Sequence, residues 1–224
     1  MLDYILTRSS RKTTAIHIRN GNVEVRAPLR KSKQDIDRFV LSKEQWIIKN
    51  IAKQKTQIKH QGSFRVDYGS HITWRGNPYP IVGRTGSKAG FDGDVFYMPQ
   101  GLTPEKIKAV CIQVYRRLAL TYFIGRVSYY SAQMGIAPAA VKINGAKTRW
   151  GSCSAKRSIN FSWRLAMAED CVIDYVVVHE LAHLIEMNHS VRFWAVVASV
   201  LPDYINRKKG LKILQQRLAN EDWG

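Results

Sequence analysis

Acidic residues are scarce in this chain: 17 Asp and Glu face 35 Lys and Arg, a formal charge of +18 over 224 residues. Cysteine is scarcer still. Cys111, Cys153 and Cys171 are odd in number and share no close spacing, which excludes a disulfide framework and a cysteine-rich zinc site. No apolar run approaches the roughly 18 residues needed to cross a bilayer. The opening Met1–Leu6 carries an acid and few apolar residues, unlike a secretory signal, so the expected location is the reducing cytoplasm. Repeats and low-complexity segments are also lacking. The 45% hydrophobic and 23% charged composition excludes general disorder and points to a globular protein.

The basic excess is spread along the chain, with 18 Lys/Arg against 8 Asp/Glu in residues 1–100 and 17 against 9 in the rest. Its densest stretch, Arg30 to Lys59, has nine bases and three acids. Ile36, Val40, Ile47, Ile51 and Ile58 recur there at helical spacing, predicting one amphipathic helix with a basic outer face. Such a face can bind nucleic acid, weakly, or anionic lipid, but the favoured reading is the solvated side of a basic protein. The segment Gly83-Arg84-Thr85-Gly86-Ser87-Lys88 has only a superficial likeness to a phosphate loop and reads as a surface hairpin loop. Nothing in the sequence fixes an oligomeric state.

A β-hairpin is expected where Ile16 and Ile18, then Val23, Val25 and Ala27, alternate around Asn20-Gly21. Short strands follow at Phe64–Val66, His71–Trp74, Tyr79–Val82 and Val95–Met98. Residues 1–100 therefore read as a β-rich N-terminal region with one basic helix. Thr103-Pro104-Glu105 starts a long buried helix that Gly135 and Pro138 end. Val141–Asn144 and Ser158–Leu165 read as strands. Asp170 begins a strongly apolar helix to about Met187, and further helices follow over 190–201 and 203–219. Residues 101–224 form the second region.

The chemistry is carried by His179-Glu180-Leu181-Ala182-His183. Two histidines at i and i+4 share one helix face, so their imidazoles can converge on one metal ion. Glu180, beside the first, can reach the open metal position without ligating and accept a proton from activated water. His189, six residues past His183, is the expected third ligand. Glu186 rivals it on spacing, but it lies seven helical residues from His179, about 10 Å of rise. Cys153 is a weaker rival still, because three histidines already suffice. His17, His60 and His71 are isolated and read as structural or surface residues.

Lys147-Thr148-Arg149-Trp150-Gly151-Ser152-Cys153-Ser154, Ile159-Asn160, Leu165, the run Asp174–His183, Asn188-His189-Ser190 and Phe193-Trp194 together resemble the YgjP-like family of zinc metallopeptidases, related to the WLM and SprT-type proteins. The hairpin, the Ala27-Pro28 step and Trp46-Ile47 extend the resemblance over nearly the whole chain. It implies an α+β, zincin-like catalytic region: a twisted sheet beside the metal helix, backed by a long helix. It also implies Zn2+ held by His179, His183 and His189, with Glu180 as base. The ligand spacing equals that of metzincins, yet Glu186 stands where their chain turns at glycine. Asn188, which tolerates a left-handed conformation, is expected to make the turn instead.

The function these readings favour is a zinc-dependent peptidase acting on a peptide or protein. Arg149 is a candidate to bind a substrate carboxylate or phosphate from the wall of the cleft. The stretch Arg149–Cys153 reads equally as a packed turn, with Cys153 a small buried residue. Ser158 and Asn160 lie on the strand to which an extended substrate is expected to add. Two other classes share the site chemistry. One is a phosphoanhydride hydrolase acting on nucleotides, and the other is a nucleic-acid-associated protein processing a bound partner.

Overall fold

A computed structural model describes residues 2–19 and 21–224, and it divides into two compact units. The first comprises residues 1–64 with 219–222, the second 65–218 with 223–224.

In the first unit, β1 (Ile5–Ser9) pairs parallel with β3 (Asn22–Pro28), and β2 (Ala15–Arg19) pairs antiparallel on its other side. The expected hairpin is present, with Arg19 opposite Asn22 and Gly21 at φ +79°. Asn20, the other turn residue, lies outside the described residues. The edge strand β1 was not expected, because Ile5–Ser9 alternates too weakly to announce a strand. Helices α1 (Lys33–Leu41) and α2 (Glu44–Ser63) replace the single basic helix of the sequence reading. The Ser32 hydroxyl caps α1 by accepting from the Asp35 amide at 3.1 Å. At the other end, the Ser42 hydroxyl donates to the Phe39 carbonyl and the helix breaks. Val23, Val25, Ala27, Ile36, Val40 and Ile47 form the core of this unit. Ile58 remains exposed.

The second unit begins with a sheet ordered β4 (His71–Trp74), β5 (Asn77–Arg84), β7 (Phe96–Pro99), β6 (Gly90–Phe91). Residues 64–66, expected as a strand, form none. The loop around Gly86 joins β5 to β6, which flank β7 and do not pair with each other, so it is not a hairpin loop. The boundary expected near residue 100 falls inside this unit, because its sheet packs on the long helix α3 (Pro104–Met134). The rings of Trp74 and Phe96 lie 6.4 and 5.4 Å from that of Tyr115.

Three strands follow: β8 (Ala140–Asn144), β9 (Gly151–Cys153) and β10 (Ser158–Ser162). β10 pairs parallel with β8 and antiparallel with β9, so it is the central strand of this sheet. The strand expected to reach Leu165 instead ends at Ser162, where a 3₁₀ turn over Trp163–Met167 takes over. Then come α4 (Asp170–Ala182), α5 (Val191–Val200) and α6 (Tyr204–Leu218).

Buried apolar residues surround α4 almost completely, from Val172 to Ala182, which is why it reads as uniformly apolar and not amphipathic. Its two acids on the α3 side are paired. Arg126 grips Asp174 through two bonds of 2.7 and 2.8 Å, and Asp170 takes Arg75 and the Tyr122 hydroxyl. Fully buried Phe123 and Phe161, 5.2 Å apart, pack α3 onto β10. Each such ring contributes about 1.5–3 kcal/mol by leaving water. The α+β class expected from the sequence is thus observed, with a small sheet beside α4 and the long helix α3 behind it. No helix among the described residues is long and apolar enough to cross a membrane.

Candidate metal centre

His179 sits in the last turn of α4 and His183 caps it. The helix stops there rather than at Met187, because the chain tightens. The Ala182 carbonyl accepts from both the Ile185 and Glu186 amides, and the Leu181 carbonyl from Leu184. The Asn188 carbonyl then accepts from the Ser190 amide at 2.7 Å, and Ser190 caps α5 by accepting from the Phe193 amide. Asn188 does not adopt the left-handed conformation expected of it; among described non-glycine residues only Arg75 and Arg157 do. Successive tight turns bring His189 back without it.

The three imidazoles converge. One ring nitrogen from each lies within 4.8 Å of the others, and the Nε2 atoms of His179 and His189 are 3.1 Å apart. The Nδ1 of His183 faces the Glu186 carbonyl at 3.3 Å. A carbonyl only accepts, so Nδ1 carries the proton and Nε2 keeps its lone pair for a ligand. Burial, then the neighbouring His183 and His189, push His179 down to about 3, and burial also lowers His183. Both are therefore neutral at neutral pH, the form that binds a metal.

Phe193 forms the floor. Fully buried, its ring lies 4.9, 4.6 and 4.7 Å from those of His179, His183 and His189. Trp194 stacks beside His189 at 5.7 Å, Tyr204 stacks on Trp194 at 5.3 Å, and Tyr175 stacks on Tyr204 at 6.4 Å. The sequence marked Phe193-Trp194 only as part of a family motif. Its position three and four residues after the capping Ser190 is the signal that both rings face back toward the ligands.

Glu180 is 5% exposed, and its Oε2 has no hydrogen-bond partner among the described residues. Burial pushes its carboxyl up to about 8, against the opposing influence of Arg149. Gly151 of β9 lies against it: a methyl built on that glycine would fall 2.7 Å from the Glu180 Cγ and Cδ. The His179 Nδ1 is likewise buried without a partner. Three histidine nitrogens meeting within 4.8 Å fit a divalent transition metal, and Glu180, next to His179 in the chain, is a buried carboxyl with an unsatisfied oxygen.

The other candidates separate. Glu186 and Cys153 contribute no ligand atom to the cluster; Glu186 acts through its carbonyl on His183. Arg149 is exposed in the segment between β8 and β9, with its charge toward Glu180. Ser158 and Asn160 do not join the site. Ile159 opposes Cys153 and Phe161 opposes Gly151, so those four share the face that meets Glu180, and period-two alternation turns Ser158 and Asn160 to the other face. Nor can a substrate strand add to β10, which has a neighbour on both sides. A separate cavity of about 410 Å³, between the start of α4 and α6, contains none of the histidines.

The model of the YgjP-like family, described as YgjP-like, metallopeptidase domain, matches residues 12–213. This chain belongs to the YgjP-like family. Its matched region is a metallopeptidase domain, which implies a metal ion and a peptide or protein substrate, and the three histidines form a group that could hold a metal. No curated protein matches this YgjP-like chain. Among solved structures it is similar to the metallopeptidase zymogen abylysin of Pyrococcus abyssi. That similarity has 23% identity, covers 44% of this chain and 97% of that one, and has a TM-score of 0.38, too slight a likeness to bear on the reading.

Proposed function

We propose that this YgjP-like chain is a zinc-dependent peptidase in which His179, His183 and His189 hold the ion and Glu180 is the general base. The observation that carries this reading is the meeting of three imidazoles, with Glu180, next to His179 in the chain, buried and holding an unpartnered oxygen. A zinc ion held there supplies a Lewis acid for the scissile carbonyl and acidifies a water. Glu180 takes the proton of the attacking water and returns it to the leaving amine. Burial raises its carboxyl, and a divalent ion nearby would favour the charged form that accepts the water's proton. Arg149 favours the charged form of Glu180, and Phe193 excludes water from behind the ligands.

Substrate pairing moves from β10 to β9. In the β9–β10 ladder, Ser154 N bonds Ser158 O and Ser162 N bonds Trp150 O. By period-two alternation Ser152 faces β10 between them, which turns the backbone groups of Gly151 and Cys153 outward along the open edge. An extended peptide pairing there lies alongside Glu180.

The test is a product assay of zinc-loaded protein with mixed peptides and, separately, with nucleoside triphosphates, wild type beside Glu180→Gln. New peptide termini are expected from the wild type. The variant should keep its zinc and lose at least about 100-fold in rate, the usual worth of a positioned base. Phosphate release without peptide cleavage would replace the reading by nucleotide hydrolysis.

A further inference from the structure

The chain's remaining charges near the metal centre are not balanced. Three histidine nitrogens bring no negative charge to a divalent ion, and Glu180 would offset only one unit of its charge. Three acids of α4 and the start of α6 are engaged elsewhere: Asp170 by Arg75, Asp174 by Arg126, Asp203 by Arg207. Against that background the charge of Lys208 reaches the histidine cluster, acting on His179. Lys208, exposed on α6 one turn after Tyr204, holds its Nζ 5.2 Å from the centre of the Trp194 ring. No carboxylate lies within ion-pair distance of it among the described residues, whereas its neighbour Arg207 is held by Asp203. Trp194 is the ring stacked beside His189.

We infer that Lys208, held over Trp194, is a specificity-determining residue that receives a carboxylate of the peptide substrate. The inference rests on the peptidase reading and deepens it by naming the substrate class. The ring steps of 5.2 and 5.7 Å place the ammonium within about 11 Å of the His189 ring, some three residues of extended chain at ~3.3 Å each. The favoured carboxylate therefore sits within about three residues of the cleaved bond. An Asp or Glu side chain can supply it, and so can a free C-terminus. Trp194 gives Lys208 a fixed apolar seat and a cation–π partner, so less side-chain freedom is lost when the carboxylate arrives. Basic peptides are disfavoured by the same charge.

The experiment profiles cut sites by mass spectrometry, using a pool of random-sequence peptides made both as free acids and as C-terminal amides. Zinc-loaded wild type, Lys208→Ala, Lys208→Arg and Lys208→Glu are compared. A second readout captures intact peptides from the same pool on zinc-loaded Glu180→Gln, with and without Lys208→Glu. Wild type and Lys208→Arg should enrich a carboxylate near the cut by up to about fivefold, the ceiling for a solvent-exposed ion pair. Lys208→Ala should lose that preference, and Lys208→Glu should turn it toward Lys and Arg in both cutting and capture. Enrichment in acids and amides alike identifies the side chain as the source; enrichment confined to free acids cut near their ends identifies the C-terminus. Cutting without any carboxylate preference, or a preference unchanged in Lys208→Glu, overturns the inference and leaves the peptidase reading standing. If no peptide is cut or captured by any form, the peptidase reading falls and this inference with it.

Discussion

The α-carbon of Gly151 faces the carboxylate of Glu180 with no room for a methyl between them: the Glu180 Cδ would lie 2.7 Å from it. The position thus demands glycine for space, since its φ is not in the left-handed range. Gly151→Ala must displace either the edge strand or the base, and the base has only its side-chain torsions to resist with. Zinc content should be unchanged while the rate falls by about 100-fold or more, as for other misplacements of a catalytic group. Metal analysis beside peptide turnover checks this, and a full rate would mean that Glu180 is not the base.

The third ligand is decided by a pair of variants. His189→Ala should weaken zinc binding at least tens-fold, because loss of a direct ligand exceeds the 10–100-fold typical of the groups behind it. Glu186→Ala keeps the backbone carbonyl that orients His183, so its affinity should stay close to wild type. Competition with a chelator of known affinity reads both. The reverse pattern would move the ligand to Glu186.

Acid stability has a distinct source at the start of α4. The Arg75 guanidinium, with help from the Tyr122 hydroxyl, holds the Asp170 carboxyl below the usual carboxylate range. A depressed carboxyl stabilises the fold above its unfolded value, about 3.9, and that stability is lost as pH falls through its folded value. Asp170→Asn should cost up to about 1 kcal/mol at pH 7, discounted because both partners are over 40% exposed. The difference should begin to shrink below about pH 4 and vanish only below the lowered folded value. Denaturant titrations at pH 7 and pH 3 test the sign as well as the size.

The basic face of α2 is expected to be solvated. Reversing Lys49, Lys53 and Lys55 to Glu should leave zinc content and turnover intact. DNA binding by the wild type should be weak, indifferent to sequence and gone by about 200 mM salt. Anisotropy titrations at two salt concentrations decide it. Binding that survives that salt and disappears in the triple variant would establish α2 as a nucleic-acid surface.

Much of this molecule was legible from local patterning. The strand pair around Gly21 and helix α3 with its Thr103-Pro104 start and Gly135 stop depend on nearby residues alone. So does the face shared by His179 and His183, and all three stand as read. What escaped depends on contacts distant in sequence. Whether Ser158–Ser162 is an edge or a central strand is set by Ala140–Asn144, which pairs with it in parallel across a loop. The split of the basic helix at Ser42 was hidden because Val40 and Ile47 are a heptad apart and fit one continuous helix as well as two. The end of α4 was overrun because Leu184, Ile185 and Met187 continue its apolar character into turns that helical periodicity cannot tell from helix. Phe193 could be read as a core residue, but only the fold brings its ring under all three histidines.

The ligand set draws on two kinds of backbone. His179 and His183 are carried by a helix whose place is already held by its packing, whereas His189 hangs from a run of tight turns. An ion bound by all three would stabilise that run against opening, because a ligand that binds only the closed state shifts the equilibrium toward it. At a free zinc concentration 100 times the dissociation constant, the linkage amounts to about 2.7 kcal/mol. In the proposed zinc site, residues 183–190 would act as a clasp between α4 and α5 that the metal fastens, and the ion proposed for the chemistry would also govern how readily this segment opens.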